Sequence, residues 1–172
     1  MRKTVRQIIL IAVPAICLAD AFAATAVSTM TNTVTITNSC IISSAGFTTS
    51  YDPIIANATT DKHTTATVTT TCTVGASPVI TLGQGANPDT GSTDAVPLRR
   101  LTNGGGAPSY LNYALYSDTG RAVTWGNTSA TAPAAVTATG SPTSITIYAN
   151  IPAAQSLGAA TYTDTIVATV TF

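Results

Sequence analysis

Residues 161–172 read Thr-Tyr-Thr-Asp-Thr-Ile-Val-Ala-Thr-Val-Thr-Phe, and their pattern decides the fold. Tyr162, Asp164, Ile166, Ala168, Val170 and Phe172 fall on one face, while Thr161, Thr163, Thr165, Val167, Thr169 and Thr171 fall on the other. Period two with one apolar side is the signature of a half-buried strand. A face that carries aliphatic side chains and a terminal aromatic has to be covered by something.

Working outward, the same kind of signal recurs at Met30 to Cys40, Phe47 to Tyr51, Thr64 to Val74, Pro78 to Leu82, Val96 to Thr102, Tyr110 to Tyr116 and Ser144 to Ile151. Turn-forming compositions separate these runs: residues 84–91, 103–106, 117–120 and 140–142 are rich in Gly, Asn, Asp, Ser and Pro. Threonine is abundant, and its branched Cβ suits a pleated surface better than a helix. No amphipathic helix is legible after residue 23. Many short strands with turns between them predict an all-β sandwich.

The chain opens Met-Arg-Lys-Thr-Val-Arg-Gln, continues through an apolar run from Ile8 to Leu18, and reaches Ala21-Phe22-Ala23. A basic start, a short apolar stretch and a small-x-small site predict an export signal spanning 1–23. The apolar run is about half the length that a membrane span needs. Cleavage after Ala23 leaves 149 residues with four basic side chains (Lys62, Arg99, Arg100, Arg121) and six Asp, a net charge of −2, and no Glu. Such a chain cannot neutralise a run of phosphates, so nucleic acid is excluded as a partner.

Export also changes the cysteine arithmetic, because Cys17 leaves with the signal and Cys40 and Cys72 remain as a pair. Each shares a face with aliphatic neighbours, Val34 and Ile36 for Cys40 and Ala66, Val68 and Val74 for Cys72, so a bridge between two strands is expected in an oxidising compartment. The alternative is two free cysteines acting as small hydrophobes.

Chemistry is not visible. The single His63 lies in a polar turn, no Gly-x-Ser-x-Gly elbow exists, and the Asp residues stand mostly in turns. Two cysteines and one histidine fall short of a closed metal site, and no cofactor is expected. The triplets at Asn57 and Asn127 read as surface loops. Trp125 reads as a packing aromatic, with a ligand-stacking platform as its alternative.

Five stretches are recognisable in order: Leu111-Asn-Tyr-Ala-Leu-Tyr-Ser-Asp118, Trp125-Gly-Asn127, Ile147-Tyr-Ala-Asn-Ile-Pro-Ala-Ala-Gln155, Gly158-x-x-x-Tyr162-x-Asp164-Thr-Ile166, and the closing Val-Thr-Phe172. Together with the cysteine pair they resemble the spore coat protein U domain family, which includes pilins of archaic chaperone-usher pili. The resemblance implies an incomplete immunoglobulin-like β-sandwich with no enzymatic activity, completed by donor-strand complementation, a known mode of strand addition. It further implies partners: a periplasmic chaperone, an outer-membrane usher and neighbouring subunits. The protein would travel through the periplasm to a surface fibre serving adhesion and biofilm formation. A ligand-binding adhesin module and a spore or cell-surface coat protein are the alternative readings.

On that resemblance the face of Tyr162, Ile166, Ala168, Val170 and Phe172 borders the groove to be filled. Residues 24–37 would be the donor segment and 38–172 the domain proper. Within 24–37 the even register carries Met30, Val34 and Ile36 as knobs, interrupted by Asn32. The competing reading makes Met30 to Ile36 the domain's own first strand.

Overall fold

The computed structural model describes residues 24–172; the expected signal at 1–23 lies outside the described residues. The chain divides after Thr35 into two units. In the first, residues 24–35 carry no helix or strand, and all of their side chains are exposed.

The second unit, 36–172, holds seven strands: β1 (Cys40–Ala45), β2 (Lys62–Cys72), β3 (Val79–Leu82), β4 (Arg99–Thr102), β5 (Tyr110–Tyr116), β6 (Thr143–Ile151) and β7 (Ala168–Thr171). A single 3-10 turn, Ser129–Thr131, interrupts the loop between β5 and β6. All pairings are antiparallel: one sheet has the order β1-β2-β6-β5-β4, and the second pairs β3 with β7.

Period two in the sequence becomes sidedness in the sheets. Ala66 and Val68 of β2, Leu111, Tyr113 and Leu115 of β5, and Ile147, Ala149 and Ile151 of β6 bury one face of the larger sheet. Ile80 and Leu82 of β3 pack against them, and so do Ala168 and Val170 of β7. The two sheets thus share one core as a sandwich, in which each fully buried aliphatic contributes about 1.5–3 kcal/mol. Cys40 and Cys72 stand opposite each other in the β1–β2 register and are joined by a disulfide, with Cα atoms 4.1 Å apart. The 32-residue separation corresponds to roughly 3–4 kcal/mol of chain-entropy stabilisation. The bridge packs with Ala76 and Ala138 in a small satellite cluster rather than in the main core, and Val74, expected on the same inward face, is exposed.

Four strand expectations change. No strand covers Met30 to Ser39: β1 starts at Cys40, so Met30 to Ile36 is not the domain's first strand. Phe47 to Tyr51 alternates between half-buried and exposed side chains but has no ladder partner, and a strand pattern without a neighbour cannot form a sheet. Val96 to Thr102 narrows to β4 at Arg99–Thr102. The stretch from Tyr162 narrows to Ala168–Thr171, preceded by a lone bridge between Thr163 and Thr102. Its alternation survives intact, with even-numbered side chains from 162 to 170 half-buried and their odd-numbered neighbours exposed.

One edge of β7 stands open. The Gly83 N–H donates to the Val167 carbonyl at 2.9 Å, which makes the odd-numbered residues those bonded to β3. Antiparallel alternation then turns the backbone groups of Ala168 and Val170 to the other side. Among the described residues no strand pairs with that side.

Candidate functional site

Beside this open edge the sandwich is unfilled. A cleft of about 1090 Å³ runs between the sheets. Leu111, Leu115, Ile147 and Ile151 of the larger sheet form its floor, and Leu82, Ile166 and Ala168 form the opposite wall. Its rim consists of residues 44–51 with Pro53 and Ile54 on one side and residues 157–165 on the other. Asp164 is the one carboxylate that lines it among the described residues. One oxygen of Asp164 accepts the Ala86 and Thr165 N–H groups at 2.8 Å each, and the other accepts the Tyr113 hydroxyl at 2.6 Å. Burial first, and the adjoining carboxylate second, push the Tyr113 phenol well above its ordinary range, so it stays a donor.

Behind the cleft lies a buried cation. Arg99 donates from Nε to the Gly83 carbonyl and from Nη2 to the carbonyls of Leu82 and Trp125, all within 2.9 Å. Burial lowers its pKa to about 10, so it remains charged at neutral pH. The site is therefore a largely apolar slot with one acidic contact point and an open backbone edge. Nothing in it resembles a nucleophile with its base, and no group of three metal-ligating side chains exists among the described residues.

Residues 26–169 match the Spore Coat Protein U domain family. The chain belongs to that family. Protein U of Myxococcus xanthus is 38% identical over 177 residues, covering 99% of this chain and 98% of that protein. Among solved structures, a chaperone–tip adhesion subunit pre-assembly complex, CsuC–CsuE, from the archaic chaperone-usher Csu pili of Acinetobacter baumannii superposes with a TM-score of 0.49 at 17% identity. The superposition covers 80% of this chain and 40% of that one. This chain spans less than half of the chain it matches. Spore coat protein U domains form a structural, non-enzymatic family.

The motifs of this spore coat protein U domain turn out to be fold-closing hydrogen bonds. Gln155 accepts from the Asn112 N–H at 2.7 Å and donates back to the Asn112 carbonyl at 3.1 Å. Tyr162 donates to the Gly158 carbonyl at 3.0 Å, which accounts for the Gly-x-x-x-Tyr spacing. Tyr113 reaches Asp164, tying β5 to the approach to β7. Gly126 lies so close to the Asp94 carbonyl that a Cβ there would collide with it.

Of the expected groove-strand residues, Tyr162, Ile166 and Ala168 line the cleft, Val170 packs on the core beside it, and Phe172 lies beyond β7, 51% exposed. Met30, Val34 and Ile36 are more than four-fifths exposed. Trp125 is a packing aromatic, wholly buried with Nε1 donating to the Ile80 carbonyl at 2.9 Å, and its alternative as a ligand-stacking platform is corrected, because no ligand can reach its ring. Asn57 is buried and its carboxamide is occupied by the Asp52 N–H and the Thr60 carbonyl, so it is not a free surface acceptor. His63 lies on β2, exposed, rather than in a turn.

Arg99 went unread in the sequence, although a signal was present. Adjacent arginines in a strand must point to opposite faces. Arg100 turns outward to pair with Asp89 at 2.9 Å and to lie 4.1 Å from the Tyr110 ring centroid, so Arg99 turns in with Leu101.

Three turn carboxylates hold loops around the sandwich. Asp52 is kept below its ordinary value first by the Ile54 N–H, Asp61 first by the Asn150 carboxamide, and Asp118 first by the Val123 N–H. A carboxylate whose pKa is depressed by folding stabilises the folded state above its unfolded value, 3.8, and that contribution disappears as pH falls through the folded value. The melting temperature should therefore be flat above about pH 5 and fall below about pH 4. Circular dichroism melts across that range check this, and a rise on acidification would contradict it.

Proposed function

We propose that the chain is a structural, pilin-like subunit of a secreted surface fibre, assembled by a chaperone-usher pathway through donor-strand exchange and serving adhesion and biofilm formation. One observation carries this reading: the apolar cleft lies open beside an unpaired edge of β7. Residues 24–36 of a neighbouring copy are the proposed donor, since they alternate and have no strand partner of their own. Inserted there, Met30, Val34 and Ile36 would each add about 1.5–3 kcal/mol of burial. The donor backbone would meet the free groups of Ala168 and Val170, ending the hazard of a bare edge. Each copy would donate from one end and accept at the other, a contact that does not close on itself and so builds a fibre.

An open cleft of this kind needs cover before the neighbour arrives, which is the role assigned to the periplasmic chaperone, with the outer-membrane usher ordering the exchange. In this reading 1–23 directs export, 24–37 donates and 38–172 accepts. The family's description and the similarity to Protein U favour a second setting, a spore or cell-surface coat, in which the same exchange would proceed without an usher.

The test is a denaturing gel of the exported chain, unboiled and boiled, beside the same chain lacking 24–36. A ladder that resists detergent, collapses on boiling and is absent from the deletion is expected. A ladder that persists in the deletion sinks the reading.

A further inference from the structure

A cleft that accepts an alternating strand faces an ambiguity of register. A slip by one residue turns the apolar side chains outward and is self-correcting, but a slip by two keeps the faces and misplaces every knob. Something not periodic has to mark the position. The donor face reads Ala26, Ser28, Met30, Asn32, Val34, Ile36, so a carboxamide stands between two large apolar knobs. The cleft holds one mark of its own, the Asp164 carboxylate.

Asp164 has room for one more donor. A carboxylate offers about four lone-pair positions. The Ala86 and Thr165 N–H groups use two on Oδ1, and the Tyr113 hydroxyl uses one on Oδ2. No N–H or O–H group claims the last position on Oδ2 among the described residues; Gly85 packs against that oxygen on one side, and Asp164 lines the cleft. Hydroxyls on the rim are weaker partners for a donor, and among the described residues the only carboxylate in the slot is this one. Charge-assisted hydrogen bonds are shorter and about twice as strong as neutral ones.

Resting on the strand-donation reading above, we infer that Asn32 of a second copy donates its carboxamide N–H to Asp164 Oδ2 and thereby sets the register of the inserted strand. With Asn32 opposite Asp164, the flanking Met30 and Val34 fall two residues to either side. Either chain direction then brings large apolar knobs to Tyr162 and Ile166. The arrangement is comparable to the single buried Asn that selects register in coiled coils.

Asn32 lies outside both sheets, so its substitution leaves the fold intact. In the full exported chain, Asn32→Leu should lower the unboiled ladder about tenfold, because Asp164 is then buried without its last donor. A purely apolar slot would instead bind leucine better, so an unchanged or stronger ladder overturns the inference. Asn32→Asp should nearly abolish the ladder by opposing two carboxylates. The exchange Asn32→Asp with Asp164→Asn should restore it to within about threefold of the parent, since donor and acceptor trade places and the Tyr113 hydroxyl can turn from donating to accepting toward the new carboxamide. A folded double variant as defective as Asn32→Asp alone also overturns it. If the parent ladder depends on 24–36 but ignores Asn32, register marking fails and strand donation stands. If the parent ladder does not depend on 24–36, strand donation itself fails.

Discussion

Met30→Asp combined with Val34→Asp is expected to remove the detergent-resistant ladder, while Val27→Asp leaves it close to the parent. Met30 and Val34 share the even face proposed to enter a neighbour's cleft, and Val27 lies on the odd face. Replacing two apolar knobs loses about 1.5–3 kcal/mol of burial at each. Two unpaired carboxylates must in addition be taken out of water opposite Leu111, Leu115 and Ile147, whose side chains offer no hydrogen bonds. Together these exceed about 4 kcal/mol, a factor of roughly a thousand in subunit pairing. Face dependence is what makes the experiment sharp. A sticky, disordered tail would suffer equally from a charge at 27, 30 or 34, whereas an inserted strand distinguishes odd from even. Equal loss in all variants would therefore count against strand insertion even though polymerisation had fallen.

Trp125→Ala is expected to destabilise the folded domain by about 3–5 kcal/mol, the range for removing a large buried aromatic. For a domain of this size that corresponds to a fall in melting temperature of roughly 6–20 °C. The indole fills the core with no exposed surface, and its Nε1 satisfies the Ile80 carbonyl. Its own backbone N–H donates to Leu115 and its carbonyl receives Arg99, so the residue links β3, β5 and β4. Trp125→Phe keeps most of the volume and forfeits the hydrogen bond to Ile80, with an expected cost of about 1–3 kcal/mol. Thermal melts followed by far-ultraviolet circular dichroism measure both. An unchanged melt accompanied by lost surface attachment would contradict the core role and return Trp125 to a ligand-binding one.

Much of the sandwich was legible because strand patterning is local. Tyr110–Tyr116 is β5 as read, and β2 and β6 differ from the reading only at their ends. Alternation at 162–170 predicted correctly which side chains turn inward, whereas Phe172, expected on the same face, is exposed. Where the reading failed, pairing rather than pattern was at issue. Met30 to Asn38 and Phe47 to Tyr51 alternate as strands do, yet neither has a ladder partner among the described residues, and a ladder needs two sides. Trp125 is enclosed as a packing aromatic should be, but its partners Ile80, Leu115 and Arg99 lie too far off in sequence for local pattern to name them.

Residue identity alone therefore determined the β class, the inward and outward faces of β2, β5, β6 and the stretch 162–170, the cysteine pair and the odd position of Asn32 on an apolar register. These come from side-chain alternation and from counting, which neighbours along the chain already settle. Only the tertiary structure decided which edge stays open, that Arg99 is buried against three carbonyl oxygens, and that Asp164 faces the cleft with one lone pair unspent. Those properties depend on which segments meet across 16 to 51 residues of chain, from Arg99 and Gly83 to Tyr113 and Asp164. Periodicity records the direction a side chain takes from its own strand, but not what it finds there.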